Sequence, residues 1–139
     1  MALGERLAGT LKPGSVVALY GGLGAGKTCF AKGIAKGLGI TDTLTSPTYT
    51  IVCEYGASLS GLAIPLYHID AYRLNGDEDF ESTGAVEFMG RMGITIIEWS
   101  ERIPGSIPPD AITVKIDIAG PQSRILHIHG LESDEPSCD

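Results

Sequence analysis

Cysteine is scarce in this 139-residue chain. Cys29, Cys53 and Cys138 are odd in number, widely spaced and form no C-x-x-C pair. That argues against a disulfide framework or a zinc site, and it fits a reducing cytoplasm. Positive charge is also short. Ten Lys and Arg stand against seventeen Asp and Glu, for a net charge of −7. Nucleic-acid binding draws much of its affinity from basic side chains that neutralise phosphates. The basic residues here are scattered, so a role at a nucleic acid would run through another protein. Long apolar runs are missing too. None approaches the roughly 20 residues that span a bilayer. The start, Ala2-Leu3-Gly4-Glu5-Arg6, lacks the basic stretch and apolar block of a signal peptide.

What is present suits one globular domain. Hydrophobic residues make up 43% of the chain, and apolar runs recur along its length. The domain is expected over residues 1–130, with an acidic, unstructured tail at 131–139. Ala2 to Leu11 reads as a short helix with Leu3 and Leu7 on one stripe. Ser15 to Tyr20 is nearly all apolar, as suits a strand buried on both faces of a parallel sheet. Lys27 to Leu38 reads as an amphipathic helix. Phe30, Ile34 and Leu38 share one face, and Lys32 and Lys36 the other. Thr48–Tyr55 and Ile64–Ile69 are strand candidates around a Gly/Ser turn. Asn75 to Met92 is irregular, with short helical possibilities at Glu78–Ser82 and Val86–Met89. Ile94–Ile97 is a further buried strand. Ile112, Val114, Ile116 and Ile118 alternate with polar residues, and a turn at Gly120-Pro121 leads to Arg124–His129. That pattern predicts an antiparallel hairpin with one wet face.

Between the first strand and the amphipathic helix stands "GGLGAGKT". Gly21, Gly22, Leu23, Gly24, Ala25, Gly26, Lys27 and Thr28 match G-x-x-x-x-G-K-[ST] completely. Such a string arises by chance in roughly one of a few hundred chains of this length. The strand before it and the helix after it make chance a poor explanation. The glycines let backbone N–H groups turn inward around a phosphate, and the helix adds the positive end of its dipole. Lys27 is expected at the β/γ-phosphates and the Thr28 hydroxyl at Mg²⁺. Cys29, in the first helical turn, completes the expected nucleotide-binding stretch.

A triphosphate site needs a second metal contact or a group that orients water. "LYHID" ends in Asp70 and "ITIIE" ends in Glu98. Ligands of open α/β sheets lie beyond the carboxyl ends of strands, so both acids are candidates. Thr45, Ser46 and Thr48 of "TSPTYT" have hydroxyls suited to sensing a γ-phosphate, or to capping a proline turn. His127 and His129 share a strand face, but no third ligand accompanies them, so they read as a wet hairpin face. His68 reads as packed or exposed rather than catalytic. Trp99 is core or a wall of the site.

A GTPase would show N-K-x-D, which is absent, and neither Asp70 nor Glu98 opens a D-x-x-G. A small-molecule kinase would want a lid with clustered arginines, and Arg6, Arg73, Arg91, Arg102 and Arg124 are dispersed. A minimal P-loop ATPase remains. A module that binds nucleotide in order to dock partners would need the same Lys27 and Thr28.

Four segments in this order, the glycine-rich "LGAGKT", "SPTYT", "YHIDAYRL" and "IIEW", resemble the bacterial TsaE (YjeE) family. The resemblance runs from about Leu3 to Leu131. It implies a P-loop ATPase whose mixed sheet has parallel central strands, antiparallel edge strands and flanking helices. It also implies two partner proteins, TsaB and TsaD. Together these make N6-threonylcarbamoyladenosine at position 37 of tRNAs that read codons beginning with A. Thr28 and Glu98 resemble the family's Mg²⁺ ligands, and Asp70 its catalytically important aspartate. Gly22 stands where the family usually has Asp. Most members also carry a segment before the first helix that contributes to the nucleotide site. Arg124 is a weaker candidate for the nucleotide.

Overall fold

The computed structural model describes residues 2–22, 26–40, 52–59, 61–87, 89, 91, 93–121 and 123–130. In chain order the elements are α1 (Ala2–Ala8), β1 (Val16–Tyr20), α2 (Lys27–Gly37), β2 (Val52–Leu59), β3 (Leu62–Asp70), α3 (Asp77–Ser82), β4 (Ile94–Glu98), β5 (Ile112–Gly120) and β6 (Ser123–His129). Short 3₁₀ turns cover Ala85–Glu87, Ser100–Arg102 and Pro104–Ser106.

The six strands form one sheet in the order β2-β3-β4-β1-β5-β6. β3, β4, β1 and β5 run parallel, while β2 and β6 pair antiparallel at the two edges. This is the mixed sheet expected from the sequence. Side-chain alternation sorts the residues of β1 and β4 between its two faces. Val17, Leu19, Ile94, Ile96 and Val114 pack against Leu7 of α1 and against Phe30, Ile34 and Leu38 of α2. Val16, Ile69 and Ile97 pack on the other side with Phe80, Ala85 and Ile103. Each large side chain so buried contributes roughly 1.5–3 kcal/mol. The near-continuous apolar reading of β1 and β4 thus follows from cover on both faces.

Several local expectations shift. Leu3 is 45% exposed, while Leu7 and Leu11 are buried. The closest approach of α1 to the Phe30–Ile34 turn of α2 is made at Gly4. A Cβ there would lie 2.6 Å from the Phe30 carbonyl oxygen, so only glycine allows so close an approach. β2 continues to Leu59, beyond Tyr55, because an antiparallel edge strand tolerates exposed Gly56 and Ser58 while burying Ala57 and Leu59. Ile118 is 55% exposed despite its place in the alternation. The β1–β5 register ends at Tyr20↔Lys115, so Ile118 stands beyond β1 and is paired with Arg124 of the exposed edge strand β6. The tail at 131–139 and the Thr41–Pro47 loop lie outside the described residues.

Candidate functional site

The parallel strands β1, β3 and β4 end at one edge of the sheet, and α2 begins there. Register sets the two acids side by side, because Asp70 on β3 pairs with Glu98 on β4. Both lie on the α2 side of the sheet, in phase with the buried Ile96. α2 starts at Lys27 behind Gly26, whose φ of 102° is a left-handed conformation that glycine adopts without strain. The turn places Thr28 so that its hydroxyl donates to Glu98 Oε1 at 2.9 Å.

Lys27 is 5% exposed. Its ammonium donates to the Gly21 and Gly22 carbonyls and sits 3.8 Å from the centre of the Trp99 ring. Burial pushes its pKa down, and the nearby Glu101, Glu98 and Asp70 carboxylates push it back up. Asp70 has its pKa raised, first by burial, then against the lowering effect of its bond from the Tyr72 N–H and with a smaller push from Glu98. Its Oδ1 accepts that N–H at 3.0 Å.

Glu98 is 2% exposed, and a second group holds it. His68 Nε2 lies 2.6 Å from Glu98 Oε2, and His68 is itself fully buried. Packed was one of the two expectations for His68, but its hold on the site was missed. Strand alternation could have found it: His68 is two residues before Asp70 and so shares its face. Trp99 walls the site. It is the one described non-glycine residue with positive φ (60°), and this bend turns its ring onto Lys27. Tyr72 stacks at a tilt on Trp99, with ring centres 4.8 Å apart. Glu101, also unforeseen, accepts the Gly21 N–H at 3.2 Å.

Other expectations fall elsewhere. Cys29 is exposed at the first turn of α2. Leu23, Gly24, Ala25, Thr45, Ser46 and Thr48 lie outside the described residues. Arg73 is exposed. The Arg124 guanidinium donates to the Ser123 carbonyl at 3.0 Å. His127 and His129 form the expected exposed face of β6, and His127 lies 3.4 Å from Asp117. They line an open cavity of about 740 Å³ that reaches Gly21 and Gly22 through Tyr20 and Lys115. No group of three or more His, Cys, Asp or Glu that could hold a metal occurs among the described residues. No helix among them is long and apolar enough to cross a membrane.

Comparison with known proteins shows the family and the fold. Residues 1–126 match the model of the family described as "Threonylcarbamoyl adenosine biosynthesis protein TsaE". The tRNA threonylcarbamoyladenosine biosynthesis protein TsaE of Treponema pallidum (strain Nichols) is 44% identical over 118 residues, which cover 85% of this chain and 84% of that protein. Its counterpart in Bacillus subtilis (strain 168) is 40% identical over 123 residues, covering 88% and 74%. Among solved structures, the crystal structure of YdiB from Bacillus subtilis superposes with a TM-score of 0.75 at 35% identity, over 94% of this chain and 78% of that one. The chain belongs to the TsaE family of threonylcarbamoyl adenosine biosynthesis proteins.

Proposed function

We propose that the chain is a Mg²⁺-dependent ATPase that supports formation of N6-threonylcarbamoyladenosine at position 37 of tRNA, working with TsaB- and TsaD-like partners. One observation carries the chemistry. The lysine and threonine of a complete phosphate-binding string converge with two strand-end carboxylates at one edge of the sheet.

The residues fit Mg²⁺ and a nucleotide. Magnesium takes one or two protein oxygens and completes its shell with phosphates and water. Thr28 and Glu98 offer two such oxygens already turned to each other. Bound Mg²⁺ would neutralise charge on the phosphate oxygens. The Gly21–Thr28 backbone binds phosphate, with Leu23, Gly24, Ala25 and Cys29 in the same stretch. Lys27 leaves the Gly21 and Gly22 carbonyls for phosphate oxygens, a stronger, charge-assisted contact. Asp70, whose Oδ1 accepts the Tyr72 N–H, orients the attacking water.

The assignment to the tRNA pathway rests on family membership. The partners rest on the resemblance of the motifs, and the net charge of −7 supports holding tRNA elsewhere. Phosphoryl transfer commonly draws on a further positive charge worth about 10³–10⁵ in rate. Arg73, three residues past Asp70, is the nearest arginine in sequence and stands exposed. We therefore expect slow ATP hydrolysis by the chain alone, a marked rise when TsaB- and TsaD-like proteins are added, and no appreciable tRNA binding by the chain alone at physiological salt. Full activity in the single chain, unchanged by partners, would contradict the assembly. Tight nucleotide binding with no hydrolysis in either state would favour a docking module.

A further inference from the structure

From the buried contact at Glu98 we infer that His68 is a positioning residue: its Nε2–H anchors Glu98 Oε2 and leaves Oε1 turned to Thr28, where the two residues would hold Mg²⁺. This rests on the reading of Glu98 as a Mg²⁺ ligand. The two oxygens of Glu98 have separate partners. Thr28 Oγ1 is 2.9 Å from Oε1, and His68 Nε2 is 2.6 Å from Oε2. The His68 and Glu98 side chains are almost wholly withdrawn from water. No solvent is available to hold the carboxylate in its place, so its rotation about χ3 is set by these contacts.

The tautomer follows from the same geometry. A metal-binding carboxylate is ionised and can only accept. Nε2 must then carry the proton. His68 Nδ1 is buried and finds no partner among the described residues, so Glu98 is the only polar anchor of the ring. The strands make the arrangement rigid. His68 pairs with Ile96 and Asp70 with Glu98 in the β3–β4 register, so the imidazole sits one pleat behind the acids on the same face. Groups that orient a metal ligand typically govern metal affinity by 10–100-fold.

The test is equilibrium titration of the full chain with a fluorescent ADP analogue, in EDTA and with increasing Mg²⁺, for wild type, His68→Leu and His68→Gln. We expect all three to bind alike in EDTA. His68→Leu should need about tenfold or more Mg²⁺ to reach the tight state. His68→Gln, whose amide N–H can replace Nε2–H, should recover most of that loss. A wild-type Mg²⁺ midpoint in His68→Leu overturns the inference, as does a glutamine no better than leucine. A wild type that ignores Mg²⁺ sinks the reading of Glu98 itself. If His68→Leu does not fold, ¹⁵N-histidine NMR of the wild type decides. An Nε2–H tautomer whose signal shifts when Mg²⁺ joins the nucleotide-bound chain is expected. An Nδ1–H tautomer, or a signal unmoved by Mg²⁺, overturns it.

Discussion

Asp70 and Glu98 end neighbouring parallel strands and face each other in register, yet their surroundings differ. Glu98 is buried, with one oxygen on Thr28 and the other on His68. Asp70 is half-buried and, among the described residues, accepts one backbone N–H, that of Tyr72. A carboxylate fixed at both oxygens suits a constant partner such as a metal. One with a free oxygen suits a water that must be bound, turned and replaced in each cycle. The proposed division of labour between two chemically similar side chains thus rests on their neighbours.

The largest expected effect comes from breaking the open half of this pair. Asp70→Asn keeps the acceptor for the Tyr72 N–H but loses the basic oxygen. Turnover in the partner-stimulated assay should fall about 10²–10⁴-fold, with nucleotide affinity nearly unchanged. A matching loss of affinity would move Asp70 into the binding site. Next comes Lys27→Ala, which strikes both acids' common neighbour. It removes charge-assisted contacts to phosphate, each worth about 1.5–3 kcal/mol. Nucleotide affinity should drop about tenfold or more, as read by calorimetry. Wild-type affinity in that variant would remove Lys27 from the phosphates.

A smaller effect sharpens the contrast through stability. Burial raises the Asp70 pKa above its ordinary 3.8. The folded state therefore holds this proton more tightly than the unfolded chain does. Stability from the protonated form is present below 3.8 and is lost as pH rises through the raised folded-state value. Asp70→Asn does not titrate, so its melting temperature relative to wild type should increase from acid to neutral pH. A pH-independent difference would show that the folded-state pKa of Asp70 is not raised.

Much of this site was legible in the sequence, for identifiable reasons. The phosphate cradle is a contiguous string, and α2 announces itself through Phe30, Ile34 and Leu38. Asp70 and Glu98 were found because each closes an apolar run in an α/β pattern. The grip of His68 on Glu98 was half legible: alternation puts His68 on the face of Asp70, but the 2.6 Å contact joins residues 30 apart and depends on the β3–β4 register. Glu101 reaches Gly21 only because Trp99 bends the chain into a 3₁₀ turn. Leu3 misled because helical periodicity is blind to Gly4, where α1 and α2 touch backbone to backbone. Ile118 misled because alternation continues past the point where the neighbouring strand stops.

The most direct measurement is a Mg²⁺ titration of nucleotide binding and hydrolysis in Glu98→Ala and Asp70→Ala, side by side with wild type. Glu98→Ala should shift the Mg²⁺ midpoint upward by about tenfold or more, while retaining nucleotide binding in EDTA. Asp70→Ala should keep the wild-type midpoint and lose turnover at every Mg²⁺ concentration. The reverse pattern, with the midpoint shifted by Asp70→Ala and unmoved by Glu98→Ala, would contradict the assignment of the fixed acid to metal and the open acid to water.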